Sequence, residues 1–323
     1  YKRQAKSPFY IRPRFSLDLM KWLWHFYKCC NTKHVNNSVA LLRDYNLLSK
    51  QLYKEMTEVL IEDVDFQENG LIMLCLSKKS LREESEIGRQ AQELGLSTRM
   101  LTNEEISKLN NGLVTNAMGG VLYEDDASVY SNRFMQALHQ HLKSHGVQFK
   151  SQTKIISFKK DHNKVSGLIS SNGSIIDVNQ VVLAGGIWSK HLLKKAGVPL
   201  MMQDGKGYSI TMTGLKQKPA IPCILTEAKV AMTPMSQHLR ITGTLEISNL
   251  EARINRKRVQ GFLEAVPEYF PDINPDPNPS KESIWTGYRP CSPDGIPYMG
   301  FAPGFQNVLV ATGHAMMGMS LGP

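Results

Sequence analysis

Apolar residues recur every three or four positions in three stretches of the first half of the chain, a spacing typical of amphipathic helices. These stretches are residues 37–61, 81–94 and 102–109. The third begins with Thr102 and has Glu105 three positions later, which predicts a capping box at its N-terminus. Continuous apolar runs at residues 70–76 and 119–123 predict buried strands between these helices.

The second half of the chain is dominated by shorter, strand-like segments. A helix over residues 131–144 is followed by five predicted strands, at residues 147–150, 154–160, 164–170, 174–177 and 180–184. Asn172-Gly173 predicts a hairpin turn between two of them. A second β-rich region covers 199–244, and a basic helix is expected over 248–265, before a proline-rich linker. The pattern predicts a mixed α/β fold.

Composition and charge exclude several classes of protein. Hydrophobic residues make up 41% and charged residues 21%, so wholesale disorder is excluded. No apolar run approaches the length of a membrane-spanning helix. The net charge of +9 comes from scattered basic runs without interleaved aromatic residues, which indicates a basic surface rather than a nucleic-acid site. The five cysteines show no CxxC spacing, so neither a metal site nor a disulfide framework is expected, and a cytoplasmic location is favoured.

A short amphipathic helix is predicted over residues 17–27, capped by Ser16 and rich in aromatic side chains. Two interpretations are open for it. The favoured one is a helix packed on its own domain, and the other is a helix lying at the inner face of the cell membrane as a peripheral contact.

Two glycine-containing junctions follow buried strands near the end of the chain. The strand at 181–184 ends at Gly185 and Gly186, with a helix expected after them. The strand at 307–312 ends at Gly313, and residues 316–323 resemble the opening of a second helix. Glycines at such positions allow a backbone to approach a ligand closely, and a helix N-terminus offers free N–H groups to it. A tight turn without any ligand is the alternative at either junction.

Arg289 lies between these junctions, within the segment GYRP. Its planar guanidinium suits bidentate binding of a carboxylate, which a lysine does not reproduce. The alternative is an arginine in a structural ion pair.

Five segments occur together in an order that resembles the D-amino-acid oxidase superfamily. They are VLAGGIWS (182–189), KGY (206–208), GYRP (287–290), PDG (293–295) and GHAMMG (313–318). Within the superfamily the chain is most similar to the bacterial D-amino-acid dehydrogenases, with glycine and sarcosine oxidases as neighbours. The family's N-terminal strand and G-x-G-x-x-G turn for the flavin pyrophosphate do not occur in the 323 residues, and the family's last helix is incomplete.

The resemblance implies an incomplete Rossmann-like FAD-binding domain and an antiparallel-sheet substrate domain. The substrate domain is expected to comprise residues 1–126 and 199–285, and the FAD-binding domain residues 127–198 and 286–323. FAD is the implied cofactor. Its expected contacts are Ala184, Gly185, Gly186, Trp188, Gly313, His314, Met316, Met317 and Gly318.

The implied reaction is the oxidative deamination of small D-amino acids. A hydride passes from Cα of the neutral amine to flavin N5, and the resulting imine hydrolyses to a keto acid and ammonia. The electron acceptor is a quinone or another carrier, with oxygen as the alternative in glycine, sarcosine or D-proline-type oxidases. A hypothesis of another class is a truncated, non-catalytic chain that only binds a partner.

The same resemblance implies that Arg289 binds the substrate carboxylate. Tyr208 either donates its hydroxyl to that carboxylate or is a core tyrosine, and the two alternatives are equally open. No side chain is assigned as a general acid or base, including His314. His139, His141 and His145 lie on one predicted helix, and His141 and His145 have the i, i+4 spacing of a metal-binding pair. No glutamate follows His141 and no third ligand is evident, so a solvated helix face is expected.

Overall fold

The computed structural model of the protein describes residues 7–248, 253–281 and 283–323. Its helices are α1 (Leu17–Cys29), α2 (Thr32–Val59), α3 (Lys78–Glu93), α4 (Asn103–Leu109), α5 (Ser131–Ser144), α6 (Ile187–Lys195), α7 (Arg256–Leu263) and α8 (Val266–Tyr269). Its strands are β1 (Phe9–Ile11), β2 (Leu71–Cys75), β3 (Thr98–Thr102), β4 (Gly119–Tyr123), β5 (Ile155–Asp161), β6 (Lys164–Ser170), β7 (Ile175–Asp177), β8 (Val181–Leu183), β9 (Gln203–Met212), β10 (Cys223–Leu225), β11 (Val230–Met235), β12 (His238–Ile247), β13 (Ile284–Cys291), β14 (Tyr298–Phe301) and β15 (Val308–Thr312). The mixed α/β fold class is therefore confirmed.

The largest layer is a nine-stranded sheet in the order β13-β9-β12-β11-β10-β2-β4-β3, with β1 paired to β12. Most neighbours are antiparallel, and the β2/β10 and β1/β12 pairs are parallel. Successive side chains of a strand point to opposite faces of a sheet, so each strand contributes to both faces. One face of this sheet is the main hydrophobic core, with Tyr208, Ile210, Met232, Leu239 and Ile241 against Val259, Phe262 and Leu263 of α7.

Two three-stranded sheets lie beside this layer. In the first, of order β14-β15-β8, the parallel pairing of β8 with β15 aligns Leu183 with Val310. In the second, β5, β6 and β7 form an antiparallel meander, and the predicted turn at Asn172-Gly173 joins β6 to β7. Because β8 and β15 run in the same direction, their carboxyl ends meet at one edge, where both glycine junctions lie.

Helix α1 packs against strands β12 and β13 of the large sheet. Ser16 caps it by accepting a hydrogen bond from the backbone N–H of Leu19, as predicted. Leu19 and Trp22 are buried beside Ile247 and Cys291, and the Trp22 indole donates to the Cys291 carbonyl at 3.0 Å. None of the helices among the described residues has the length and apolar character that crossing a membrane requires.

Several predicted elements differ from the observed ones. Residues 147–150 form no strand, whereas β3, which was not predicted, pairs with β4 at the edge of the large sheet. The basic helix begins only at Arg256, and residues 249–252 of its predicted span lie outside the described residues. Helix α2 begins earlier than predicted because the Asn31 side chain accepts the backbone N–H of His34 and caps it there.

The division of the chain into two domains stays a prediction. Strand β13 crosses the boundary that was placed between residues 285 and 286, and it pairs with β9 over its whole length. Arg289 therefore lies on the large sheet and not on the smaller one.

The Thr102/Glu105 capping box is present at the start of α4 and gives a stability prediction. Replacing Thr102 with alanine removes the acceptor for the Glu105 N–H, and we expect a loss of about 1 kcal/mol in the free energy of unfolding. Urea denaturation measures this change. Thr102→Ser retains the hydroxyl and serves as the matched control, so an equal loss in both variants would contradict the capping role.

Candidate functional site

Arg289 extends across the large sheet onto a glycine of the neighbouring strand. In the β13/β9 register it pairs with Gly205, and its guanidinium lies over Gly207. A Cβ atom added to Gly207 would come within 2.0 Å of Nη1 of Arg289. Only glycine at position 207 therefore leaves room for the guanidinium in this position.

A bulge in the adjoining strand provides the guanidinium with its hydrogen bond. The pairing of β12 with β9 shifts register between Gly243 and Glu246, and Thr244 within that shift has φ of 66°. The bulge directs the Thr244 carbonyl toward Arg289, whose Nη1 donates to it at 3.0 Å. One of the five guanidinium N–H groups is thereby satisfied by the protein.

No acidic side chain pairs with Arg289 in the parts of the chain that the structure describes. Burial lowers the pKa of Arg289 from its usual value, because the charged form loses contact with water. A buried charge without a counter-charge is costly, so the site is suited to an anionic ligand that supplies one. The alternative of a structural ion pair is therefore not observed for this arginine among the described residues.

The segment after β15 lies directly against the end of β13. Cys291 and His314 form an isolated β-bridge, and the Ala315 N–H donates to the Pro290 carbonyl at 2.9 Å. The structure thus brings the 313–318 segment against Pro290 and Cys291, the residues that follow Arg289 on β13. Burial lowers the pKa of His314, so its imidazole is neutral at pH 7.

The helix expected from residue 316 onward is not an α-helix in the structure. Residues 315–321 form successive turns, closed by bonds such as Met317 N–H to the His314 carbonyl at 2.8 Å. The expected helix N-terminus with its free N–H groups is therefore not present at this junction. The backbone N–H groups of Met316 and Gly318, like those of Met319 and Ser320, form no hydrogen bond with other described residues and are available as donors to a ligand.

The Gly185-Gly186 junction lies beside the Gly313 junction. Gly186 caps α6 with φ of 56° and ψ of −131°, a conformation that only glycine adopts readily. The Thr312 hydroxyl donates to the Gly186 carbonyl at 2.8 Å and ties the two strand ends together. The Trp188 ring, from the first turn of α6, lies edge-on to Tyr288 of β13 with ring centroids 6.5 Å apart. The segments containing the predicted cofactor residues and Arg289 thus converge.

Tyr208 lies on the opposite face of the sheet. It is 0% exposed within the main core, and its hydroxyl accepts the Asn255 N–H at 3.1 Å and lies 3.5 Å from a Glu246 carboxylate oxygen. Since Gly207 points to the Arg289 face, its neighbour Tyr208 points away from it. This placement agrees with the core tyrosine rather than with a ligand of the substrate.

Two side chains on the Arg289 face had no site role in the sequence analysis. The Trp285 ring lies over Gly287, and the Arg240 guanidinium lies beside that ring, with Cζ 5.2 Å from the centroid. The alternation of buried and accessible side chains along a strand could have indicated this face, because Arg240 lies between the buried Leu239 and Ile241.

An open cleft of about 1780 Å³ adjoins this face beneath α2. Arg240 and Thr233 of the large sheet line one side of it, and Met319 of the C-terminal turns lines another. The cleft therefore extends from Arg240 to Met319 and Ser320, which follow the 313–318 segment.

The family of FAD dependent oxidoreductases matches residues 21–323, so the chain belongs to this family. A D-amino acid dehydrogenase of Helicobacter pylori is 28% identical over 326 residues, which cover 100% of this chain and 76% of that protein. A glycine oxidase from Bacillus cereus superposes with a TM-score of 0.77 at 24% identity, covering 87% of this chain and 77% of that one. An L-proline dehydrogenase from P. horikoshii superposes with a TM-score of 0.74 at 16% identity, covering 86% and 75%. At these identities the two structures show the shared fold.

FAD is the cofactor of this family, and the residues around the junctions fit its flavin end. The Ser189 and Ser292 hydroxyls are buried without a hydrogen-bond partner among the described residues, and each lies next to one of the converging segments. Orphaned buried groups of this kind are normally satisfied by a ligand or by water. Together with the Met316 and Gly318 N–H groups, they are polar groups near these junctions that have no partner among the described residues.

The close approach of Arg289 to Gly207 gives a prediction about ligand binding. In Gly207→Ala the new Cβ displaces the guanidinium, and we expect the affinity for a small carboxylate to fall at least about tenfold, as the loss of charge-assisted hydrogen bonds implies. Isothermal titration calorimetry measures this affinity. Thr211→Ala, an exposed position on the same strand and face, is the matched control. Equal affinities in Gly207→Ala and the control would show that the guanidinium position is unimportant.

Proposed function

We propose that the protein catalyses the FAD-dependent oxidative deamination of small D-amino acids. The observation that carries this proposal is Arg289, a half-buried cation without an acidic partner among the described residues, on the strand whose end contacts the 313–318 segment. A carboxylate bound there becomes the missing counter-charge. The substrate is thereby held at its α-carboxylate, a group that all amino acids share.

The residues around Arg289 orient the substrate. Four guanidinium N–H groups remain after the bond to Thr244, and two parallel ones can hold both oxygens of a carboxylate. This fixes the direction of the Cα–H bond relative to the segment at Met316 and Gly318. Bound FAD would supply the hydride acceptor, and the substrate would leave as an imino acid that water converts to a keto acid and ammonia.

The protein's own groups need not move a proton in this reaction when the substrate enters as a neutral amine. His314 is held neutral by burial, which agrees with a role in shaping the pocket. Its backbone bridge to Cys291 also keeps the 313–318 segment at a fixed distance from Arg289.

The choice of D-amino acids is supported by the similarity to D-amino acid dehydrogenases over the full length of this chain. A second candidate is an amine oxidase that passes its electrons to oxygen, and the superposition with a glycine oxidase favours it. A chain that only binds a partner is disfavoured, because it has no need of an unpaired buried arginine.

A membrane carrier is the proposed electron acceptor, and a peripheral membrane contact is proposed with it. The outer side of α1 supports this, since it exposes the large apolar side chains Leu17, Met20, Trp24 and Tyr27. Such a surface suits insertion into the boundary between headgroups and acyl chains.

Replacement of Arg289 tests the carboxylate contact. In the FAD-loaded protein we expect Arg289→Ala to lower kcat/KM by the equivalent of about 3–5 kcal/mol, because the substrate carboxylate loses its only charged partner. The flavin absorbance should stay unchanged, and Arg289→Lys should retain a fraction of activity because it keeps the charge without the planar fork. Dye reduction under steady-state conditions measures kcat/KM.

Arg99→Ala is the matched control for this experiment, because Arg99 is exposed and pairs with Glu105 and Glu124 far from the site. Unchanged kinetics in Arg289→Ala would remove this residue from the substrate site.

A panel of D- and L-amino acids tests the reaction itself. With the FAD-loaded protein and a dye acceptor we expect turnover of D-enantiomers and little turnover of the L-enantiomers. Oxygen uptake should be slow compared with dye reduction if a carrier is the acceptor. Rapid oxygen uptake would establish the oxidase alternative, and the absence of turnover with every amino acid would refute the proposal.

A further inference from the structure

A second arginine lies on the same sheet face as Arg289. Arg240 is on β12, and its Nη2 and Nε donate to the Ser209 hydroxyl of β9 at 3.1 and 3.3 Å. The Arg240 guanidinium also contacts the Trp285 ring, whose centroid lies 5.2 Å from Cζ. Trp285 is 59% exposed, so this pair of side chains borders open space.

Arg240 has no acidic partner among the described residues. Among those residues it contacts the Ser209 hydroxyl and the Trp285 ring, which are both neutral. Tyr130 is the titratable group that influences the pKa of Arg240. Burial lowers its pKa, as it does for Arg289. The core face of the same sheet shows the contrast, since Arg258 there has the carboxylate of Glu246 at 3.8 Å.

The two unpaired guanidinium groups are close to each other. One lies over Gly207 and the other is bonded to Ser209, two residues further along β9. Two residues of a strand span about 7 Å. In an extended glutamate the two carboxylate carbons are separated by four bonds of about 1.5 Å each, hence by about 5 Å. Two cations at this spacing repel each other until anionic groups lie between them.

From this arrangement we infer that the preferred substrates are D-amino acids with a carboxylate side chain, held by Arg289 at the α-carboxylate and by Arg240 at the side-chain carboxylate. The inference rests on the proposed function and specifies its substrate class. Trp285, next to the Arg240 guanidinium, provides an apolar surface for the methylene groups between the two carboxylates. Arg240 also lines the open cleft beneath α2, so its end of the site borders solvent-accessible space.

The test compares D-glutamate with D-glutamine, which has the same shape but no side-chain charge. In the FAD-loaded wild-type protein kcat/KM for D-glutamate should be at least about tenfold higher, as expected for charge-assisted hydrogen bonds. Arg240→Gln should bring the ratio close to one by lowering the value for D-glutamate alone. Arg240→Lys should restore part of the preference, and Arg99→Gln, an exposed paired arginine, should leave the ratio unchanged.

A binding measurement separates this inference from the proposed function. Glutarate and pentanoate have the same number of carbons, and calorimetry should show glutarate binding at least about tenfold more tightly to the wild type but not to Arg240→Gln. If glutarate is preferred in this way and no D-amino acid is oxidised, the proposed function fails and the dicarboxylate site stands. If D-alanine is oxidised while the glutamate-to-glutamine ratio is near one or is insensitive to Arg240, the inference is overturned and the function stands.

Discussion

The absence of a side chain at Gly207 is the constraint on which the candidate site depends. Arg289 can lie across β9 only because nothing projects from that position. The bulge at Thr244 then turns a carbonyl toward the guanidinium and gives it one fixed hydrogen bond. Burial and the missing counter-charge follow from the same arrangement, since the arginine lies flat on a sheet instead of extending into water.

Charged side chains have different partners on the two faces of the large sheet. On the core face, Lys206, Glu246 and Arg258 are buried. Glu246 lies 3.8 Å from Arg258, and the Lys206 ammonium donates to the Arg253 carbonyl. On the other face the arginines have no carboxylate among the described residues. The protein thus pairs Arg258 with a carboxylate of its own and leaves Arg240 and Arg289 without one. The charges that maintain the fold are separated in this way from those that are available to a ligand.

Much of this arrangement was predictable from local patterns. The strands around Gly185 and Gly313 were found because continuous apolar runs ending in glycine are a local signal. The site role of Arg240 and Trp285 was missed because it depends on register, which the sequence does not state. Tyr208 was left open for the same reason, since a shift by one residue would have placed it beside Arg289. The turns after Ala315 were taken for a helix because their composition is compatible with both.

Strand β13 constrains how such a site can change during evolution. Arg289 lies within it, and two residues later Cys291 meets the turn at His314. The separation between the carboxylate-binding group and the region expected to hold the reactive ring is thus set inside a single rigid segment. Arg240 lies on a different strand, β12, where it pairs with Thr211 of the shared neighbour β9 and donates to the Ser209 hydroxyl. The preference for one substrate side chain over another can therefore diverge among relatives while the geometry of the chemical step stays the same.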